Sequence, residues 1–205
     1  MKLLLLTIGL CMANAFTPDT QVSAYPDFKP EQINGVWFSI AVVSNRREEI
    51  IPGGKNRFQI YSFQTKENGN IHTITYSNWS DVCQQVNITL IETTIPGQYQ
   101  VNDLDDNYFV MEDTDYENFL IVYCQMGKNS GLWQLFGRNP NMPRMYEVIF
   151  ESKVSSRGFP KKDISYFSEK VTVDRQLGGI VDRVTGLESA FGHLRPFRHH
   201  SRWRL

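Results

Sequence analysis

The chain is poor in the residues that most catalytic and metal chemistry requires. Three cysteines, Cys11, Cys83 and Cys124, in 205 residues are too few for the disulfide framework of a small secreted fold. His193, His199 and His200 crowd the C-terminus and leave His72 alone in the body, so neither a histidine-based triad nor a multi-histidine zinc site can be assembled there. Gly-x-Ser-x-Gly, His-Glu-x-x-His and a phosphate-cradling glycine loop are all missing, and the reading assigns no catalytic residue, metal or cofactor. Charge of one sign is missing as well. Lys plus Arg is 21 against 22 Asp plus Glu, a formal net charge of −1, which offers phosphate backbones no global attraction and removes nucleic acid as a partner. The one long apolar run, Leu3 to Met12, is far shorter than the ~20 residues a bilayer span takes, so stable membrane insertion is not expected. It follows Lys2 and precedes Ala13-Asn14-Ala15, the pattern of a secretory signal over residues 1–15 with cleavage before Phe16.

What is present is core material: 41% hydrophobic and 13% aromatic residues, enough for one packed domain. From Asn34 to Arg138, short β-rich runs alternate with turn residues, the signature of an antiparallel sandwich or barrel. Eight strands are predicted, over Val36–Ser44, Arg57–Gln64, Asn70–Asn78, Val82–Ile91, Gln98–Asn102, Tyr108–Glu112, Tyr116–Gln125 and Leu132–Arg138. Pro52-Gly53-Gly54, Asn68-Gly69, Pro96-Gly97 and Asp105-Asp106-Asn107 read as tight hairpin connections, making successive strands neighbours. After Pro140 the period changes. Asn141 is placed as a cap, Tyr146, Ile149, Phe150 and Val154 recur at helical spacing, and Gly158 stops the run, giving one amphipathic helix. It needs an apolar surface, and the last two long strands supply one by being apolar on both faces, as Leu120 and Val122 against Phe119, Ile121 and Tyr123 show in the seventh. Beyond residue 170, six arginines against three acids among scattered glycines mark residues 171–205 as a basic, disordered tail.

Three short motifs sit at particular places on this frame. Gly35-Val36-Trp37 opens the first strand after Lys29-Pro30-Glu31-Gln32-Ile33, Thr114-Asp115-Tyr116 leads into the seventh, and Gly137-Arg138-Asn139-Pro140 ends the eighth. Together they resemble the three signature regions of the lipocalins, over about Phe28 to Ser165. The resemblance implies an all-β fold, an eight-stranded up-and-down antiparallel barrel over residues 16–170 with one C-terminal α-helix packed outside. Within that family, the stretches from Asn34 to Phe38, from Asn118 to Cys124 and from Gly137 to Pro140 look most like the odorant-binding, vomeronasal-secretory and urinary-protein branch. The branch implies a secreted carrier of small hydrophobes such as odorants or pheromones, fatty acids or retinoids. A cell-surface receptor is left open, and a monomer or weak dimer is expected. Independently of the family, a guanidinium over an indole fills and neutralises the end of a closed barrel, so Trp37 and Arg138 are read as structural, with Gly35, Thr114, Asp115 and Tyr116 as further signature positions.

Strand alternation allows one face to line the lumen. The inward set is read as Val42; Phe58 and Ile60; Ile74 and Tyr76; Val86, Ile88 and Leu90; Tyr99 and Val101; Phe109 and Met111; Leu120, Val122 and Cys124; and Leu132, Gln134 and Phe136. The polar handles in this set are Tyr76, Tyr99 and Gln134, with His72 beside them. Two sequons, Asn78-Trp79-Ser80 and Asn87-Ile88-Thr89, are glycosylation candidates: Asn87 should point outward, and Asn78 only if the third strand ends before it.

Two other functions are compatible with the sequence. One lipocalin subgroup uses a lumenal thiol to isomerise a bound lipid, and Cys124 points inward by parity; the tail segment Phe197 to Arg204 mixes basic and aromatic residues as a surface-recognition element would. Cys83 matches the family's fourth-strand cysteine, whose usual partner near the C-terminus is missing. It is therefore free, paired between molecules, or joined to Cys124.

Overall fold

Alternation and turns build the expected wall. In a computed structural model, which describes residues 22–79, 82–102 and 104–167, without the side chains at 59, 60, 77–79, 82 and 83, the strands are β1 (Gly35–Ser44), β2 (Phe58–Thr65), β3 (Ile71–Trp79), β4 (Val82–Glu92), β5 (Gln98–Val101), β6 (Asn107–Thr114), β7 (Phe119–Met126) and β8 (Gly131–Gly137). Each pairs antiparallel with its successor, and β1 pairs with both β2 and β8, which closes the sheet and abolishes its edges. The signal sequence at 1–15 and the tail at 171–205 lie outside the described residues.

Closure is uneven along β1. Next to β2 it is paired only from Gly35 to Phe38, opposite Phe63 to Ile60. Past an irregularity between Ser39 and Ala41, that side of β1 is taken by a two-residue strand that the sequence did not announce, β9 (Ser165–Tyr166), opposite Val42 and Ala41. The Arg57 guanidinium fastens this patch, donating to Ile50 O at 2.9 Å, Ser165 Oγ at 2.7 Å and Tyr166 O at 3.0 Å.

The β1–β2 connection is not the tight hairpin that Pro52-Gly53-Gly54 suggested. It runs over residues 45–57 and contains a 3-10 turn at Arg47–Glu49. Ile50 is fully buried against the interior cluster, and so the connection folds over the end of the barrel remote from Trp37.

The helix α1 (Arg144–Ser155) follows β8. Phe150 and Val154 are buried with Ile40, Ala41, Val43, Phe119, Ile121, Trp133 and Leu135 on the outer face of β1, β7 and β8, each worth roughly 1.5–3 kcal/mol for a large side chain removed from water. This is the second apolar face of β7 put to use. Two details depart from expectation. Pro143, not Asn141, occupies the N-cap position, while the Asn141 backbone N–H bonds Asn139 Oδ1 at 2.8 Å; Ile149 stays more than a third exposed because the stripe is narrower than the spacing implied. Gly158, at φ +85°, ends the run as expected. Lys153 and Arg157 at the helix end pair with Glu112 of β6. Burial raises the Glu112 pKa against the pull of these cations.

Candidate functional site

The three sequence motifs meet at one end of the barrel. The Arg138 guanidinium lies 3.9 Å from the centre of the Trp37 ring and donates to Asn34 O at 2.9 Å, Gln32 O at 3.1 Å and Val36 O at 3.3 Å. Trp37 is fully buried, and its Nε1–H donates to Ile33 O at 2.8 Å. Gly35 adopts φ +98°, which a side chain would strain; this is why the entry into β1 carries glycine. In the β6–β7 connection Asp115 Oδ1 accepts from the backbone N–H groups of Glu117, Asn118 and Phe119 at 2.7–3.1 Å. Burial raises the Asp115 pKa, but these donors outweigh it and hold the carboxyl below its usual range. Tyr116, with φ +65°, accepts at its hydroxyl from Lys29 N–H at 3.0 Å and packs on Phe28. The motif residues thus brace a floor, and they leave no reactive group facing inward.

Above that floor a single apolar cluster fills the wall. It gathers Val42, Leu90, Tyr99, Phe109, Met111, Leu120, Val122, Cys124, Leu132 and Phe136 of the inward set, with Phe58, Ile88 and Val101 packed against it. Gln134 is buried on the same face, its Nε2–H donating to Ser39 Oγ at 2.6 Å. Val86 is half-buried at the register position opposite Thr75.

The third strand is assigned to the wrong face by the sequence reading. Ile74 and Tyr76 pair with Asn87 and Gln85 across to β4, Asn87 and Gln85 are exposed, and the Tyr76 hydroxyl donates to Gln85 Oε1 at 3.2 Å. His72 shares their face, opposite Thr89; burial, then Lys66, lowers its pKa. None of the three lines the lumen. The lumenal residues of β3 are Ile71, Thr73 and Thr75, all fully enclosed, which pair with Leu90, Ile88 and Val86. On β2 an irregularity between Phe58 and Ile60 switches parity, so that Tyr61 and Phe63 take the inward places. Ile60 registers with Phe38 and Tyr76, positions of the outer face, and its side chain lies outside the described residues. Ile50 and Phe28 also escaped the sequence reading: they close the two ends from connections, where no strand period marks them.

The electrostatics of this interior favour neutral groups. The Cys124 thiol is free and buried, and burial pushes its pKa well up. A disulfide to Cys83 is therefore not formed, and the Cys83 side chain lies outside the described residues. Burial likewise raises Tyr61 and Tyr99. Among the described residues the buried carboxylates are Glu49 in the β1–β2 connection and Glu112 beneath the helix end; neither faces the lumen. Asn87 is exposed on the outer wall, as expected. Strand β3 continues through Trp79, so the condition set for Asn78 fails, yet Asn78 shares parity with the outer residues Ile74 and Tyr76. Its side chain is not among those described.

Known proteins resemble the chain in sequence. The family model described as "Lipocalin / cytosolic fatty-acid binding protein family" matches residues 34–171. Major urinary protein 18 of Mus musculus is 28% identical over 170 residues, covering 80% of this chain and 91% of its own length. Trichosurin of Trichosurus vulpecula is 28% identical over 177 residues, covering 82% and 98%. Lipocalin Can f 6.0101 of Canis lupus familiaris is 25% identical over 167 residues, covering 80% and 87%. With the closed eight-stranded wall, the Trp37–Arg138 floor and a match spanning most of the described residues, the chain belongs to the lipocalin / cytosolic fatty-acid binding protein family.

Proposed function

We propose that this protein is a secreted carrier, released from a signal sequence at residues 1–15, that holds one small hydrophobic ligand of odorant or pheromone, fatty-acid or retinoid type in the barrel lumen. Its family carries small hydrophobic ligands. The observation that carries the reading is the lining: enclosed apolar and aromatic side chains from all eight strands with a few polar groups among them, the composition of a site for a mostly hydrocarbon molecule. The residues proposed to contact it are Val42, Phe58, Ile88, Val101, Phe109, Met111, Leu120, Val122, Cys124, Leu132, Gln134 and Phe136, with Tyr61 and Phe63 in place of Ile60 and with Thr73 and Thr75 in place of Ile74 and Tyr76. Lumenal isomerase chemistry would need a thiolate at Cys124, and burial opposes one.

Displacement of the fluorescent apolar probe N-phenyl-1-naphthylamine is the test. The mature protein should bind it at one site with a Kd on the order of micromolar, about −8 kcal/mol. Phe109→Trp with Val122→Trp should weaken binding at least tenfold by filling the lumen. A wild-type protein that binds neither this probe nor odorant, fatty acid or retinoid, or a double variant of unchanged affinity, would sink the carrier reading.

A further inference from the structure

Thr73 is fully enclosed in β3, and its register partners on either side, Phe63 and Ile88, both belong to the interior wall. Its hydroxyl therefore faces the lumen. Yet Thr73 Oγ1 has no hydrogen-bond partner. Three other polar side chains of the interior are engaged: Thr75 with the Tyr61 hydroxyl, Ser39 Oγ–H with Phe58 O at 2.7 Å, and the Gln134 amide with Ser39 Oγ at 2.6 Å. Buried hydroxyls are ordinarily paired, because an unpaired one has lost water and gained nothing.

We propose that Thr73 is the polar anchor of the lumenal site, and that the molecule it takes carries one neutral hydroxyl or carbonyl oxygen on an otherwise hydrocarbon body. This rests on the carrier reading and deepens it. The charge follows from the wall: no buried cation faces the lumen among the described residues, so a carboxylate would be taken out of water with nothing to compensate it. Arg57 reaches the interior cluster through Phe167, whose ring it covers at 4.1 Å, but its guanidinium is committed to Ile50 O, Ser165 Oγ and Tyr166 O. Orientation follows from register. Phe63 lies opposite Gly35, the first residue of β1, so Thr73 sits toward the closed end, and the ligand enters oxygen first with its hydrocarbon toward Ile50.

The experiment compares decan-1-ol, decanoate and n-decane as displacers of N-phenyl-1-naphthylamine from the full secreted protein and from Thr73→Val and Thr73→Ser, at pH 8. In the wild type decanol should compete best and decanoate worst. Thr73→Val, isosteric but without the hydroxyl, should weaken decanol about five- to tenfold, the scale of one net hydrogen bond, while probe and decane stay within twofold. Thr73→Ser should restore decanol binding. Urea unfolding should show the Val variant no less stable than wild type. Unchanged decanol affinity in Thr73→Val, or decanoate outcompeting decanol in the wild type, overturns the anchor while the carrier reading stands. A wild type that binds neither probe nor any displacer removes both.

Discussion

Replacing Arg138 with leucine tests the floor of the barrel, and the size of the loss can be worked from its contacts. The guanidinium stacks on Trp37 at 3.9 Å; a partly desolvated cation–π contact of this kind is worth about 1–2 kcal/mol. Its hydrogen bonds to Gln32, Asn34 and Val36 carbonyls would each carry about 1.5–3 kcal/mol if wholly buried. Two of them, those to Asn34 and Gln32, are exposed, and water replaces what is lost there, so roughly half a kcal/mol apiece is the fair allowance. The longer, part-buried bond to Val36 adds about 0.5–1 kcal/mol, and the sum is about 2.5–4 kcal/mol, or roughly 5–15 °C in Tm for a domain of this size. Urea unfolding followed by fluorescence and by circular dichroism measures it, with the slope checked for two-state behaviour. Arg138→Lys keeps the charge but not the planar fork, and should lose more than half as much. Probe affinity should fall less than stability does. A leucine variant within about 0.5 kcal/mol of wild type, or one that unfolds normally yet no longer binds, would refute the bracing argument and move Arg138 into the site.

Asp115→Ala should cost about 1–2 kcal/mol, since three backbone N–H groups lose their acceptor; because its pKa is lowered in the folded state, the contribution is whole at neutral pH and disappears as pH falls below about 4, which acid titration of both proteins will show. At the alkaline end the sign reverses. Cys124, Tyr61 and Tyr99 have raised folded pKa values, so stability should hold to about pH 8 and then decline as the unfolded thiol and phenols ionise first; a Cys124→Ala variant should show a shallower onset in urea melts between pH 7 and 10. Native protein should resist alkylation at Cys124 at pH 8 and react fully in urea, read by peptide mass spectrometry; rapid native labelling would contradict a buried, protonated thiol. Asn87, exposed on the outer wall, should carry a glycan in protein secreted from mammalian cells, and glycopeptide mapping that finds it bare would argue against this placement or against passage through the secretory route.

The strands and their order were legible because turn residues punctuate them, and the lumenal faces of β4 and β6 because those strands put their larger apolar side chains there; β7 and β8 are apolar on both faces. Strand β3 was misread for a physical reason: its inward positions are Thr73 and Thr75, while the more apolar Ile74 and Tyr76 face out. A cue was present. Only two residues separate Trp79 from Val82, and a two-residue turn pairs odd positions of β3 with even positions of β4. Once Ile88 and Leu90 are placed inward, Thr73 and Ile71 must follow, whatever their polarity. The parity change on β2 had no such cue, since an irregularity at Phe58 to Ile60 leaves no mark in the alternation. Ile50 was invisible for another reason: it closes the lumen from a long connection, and burial there depends on where the chain folds back.

The divided seam along β1 separates two quantities that a uniform cylinder would tie together. Beside β2, only the stretch from Gly35 to Phe38 is zipped; higher up, the gap is bridged by Ser165, Tyr166 and the Arg57 guanidinium, contacts that need not touch a guest held near Thr73. On the carrier reading proposed above, loosening that clasp would lower the barrier for entry and escape alike. Residence time would then be set at the seam and affinity at the lining, and a carrier built this way could change how slowly it releases its cargo without changing how much it holds at equilibrium.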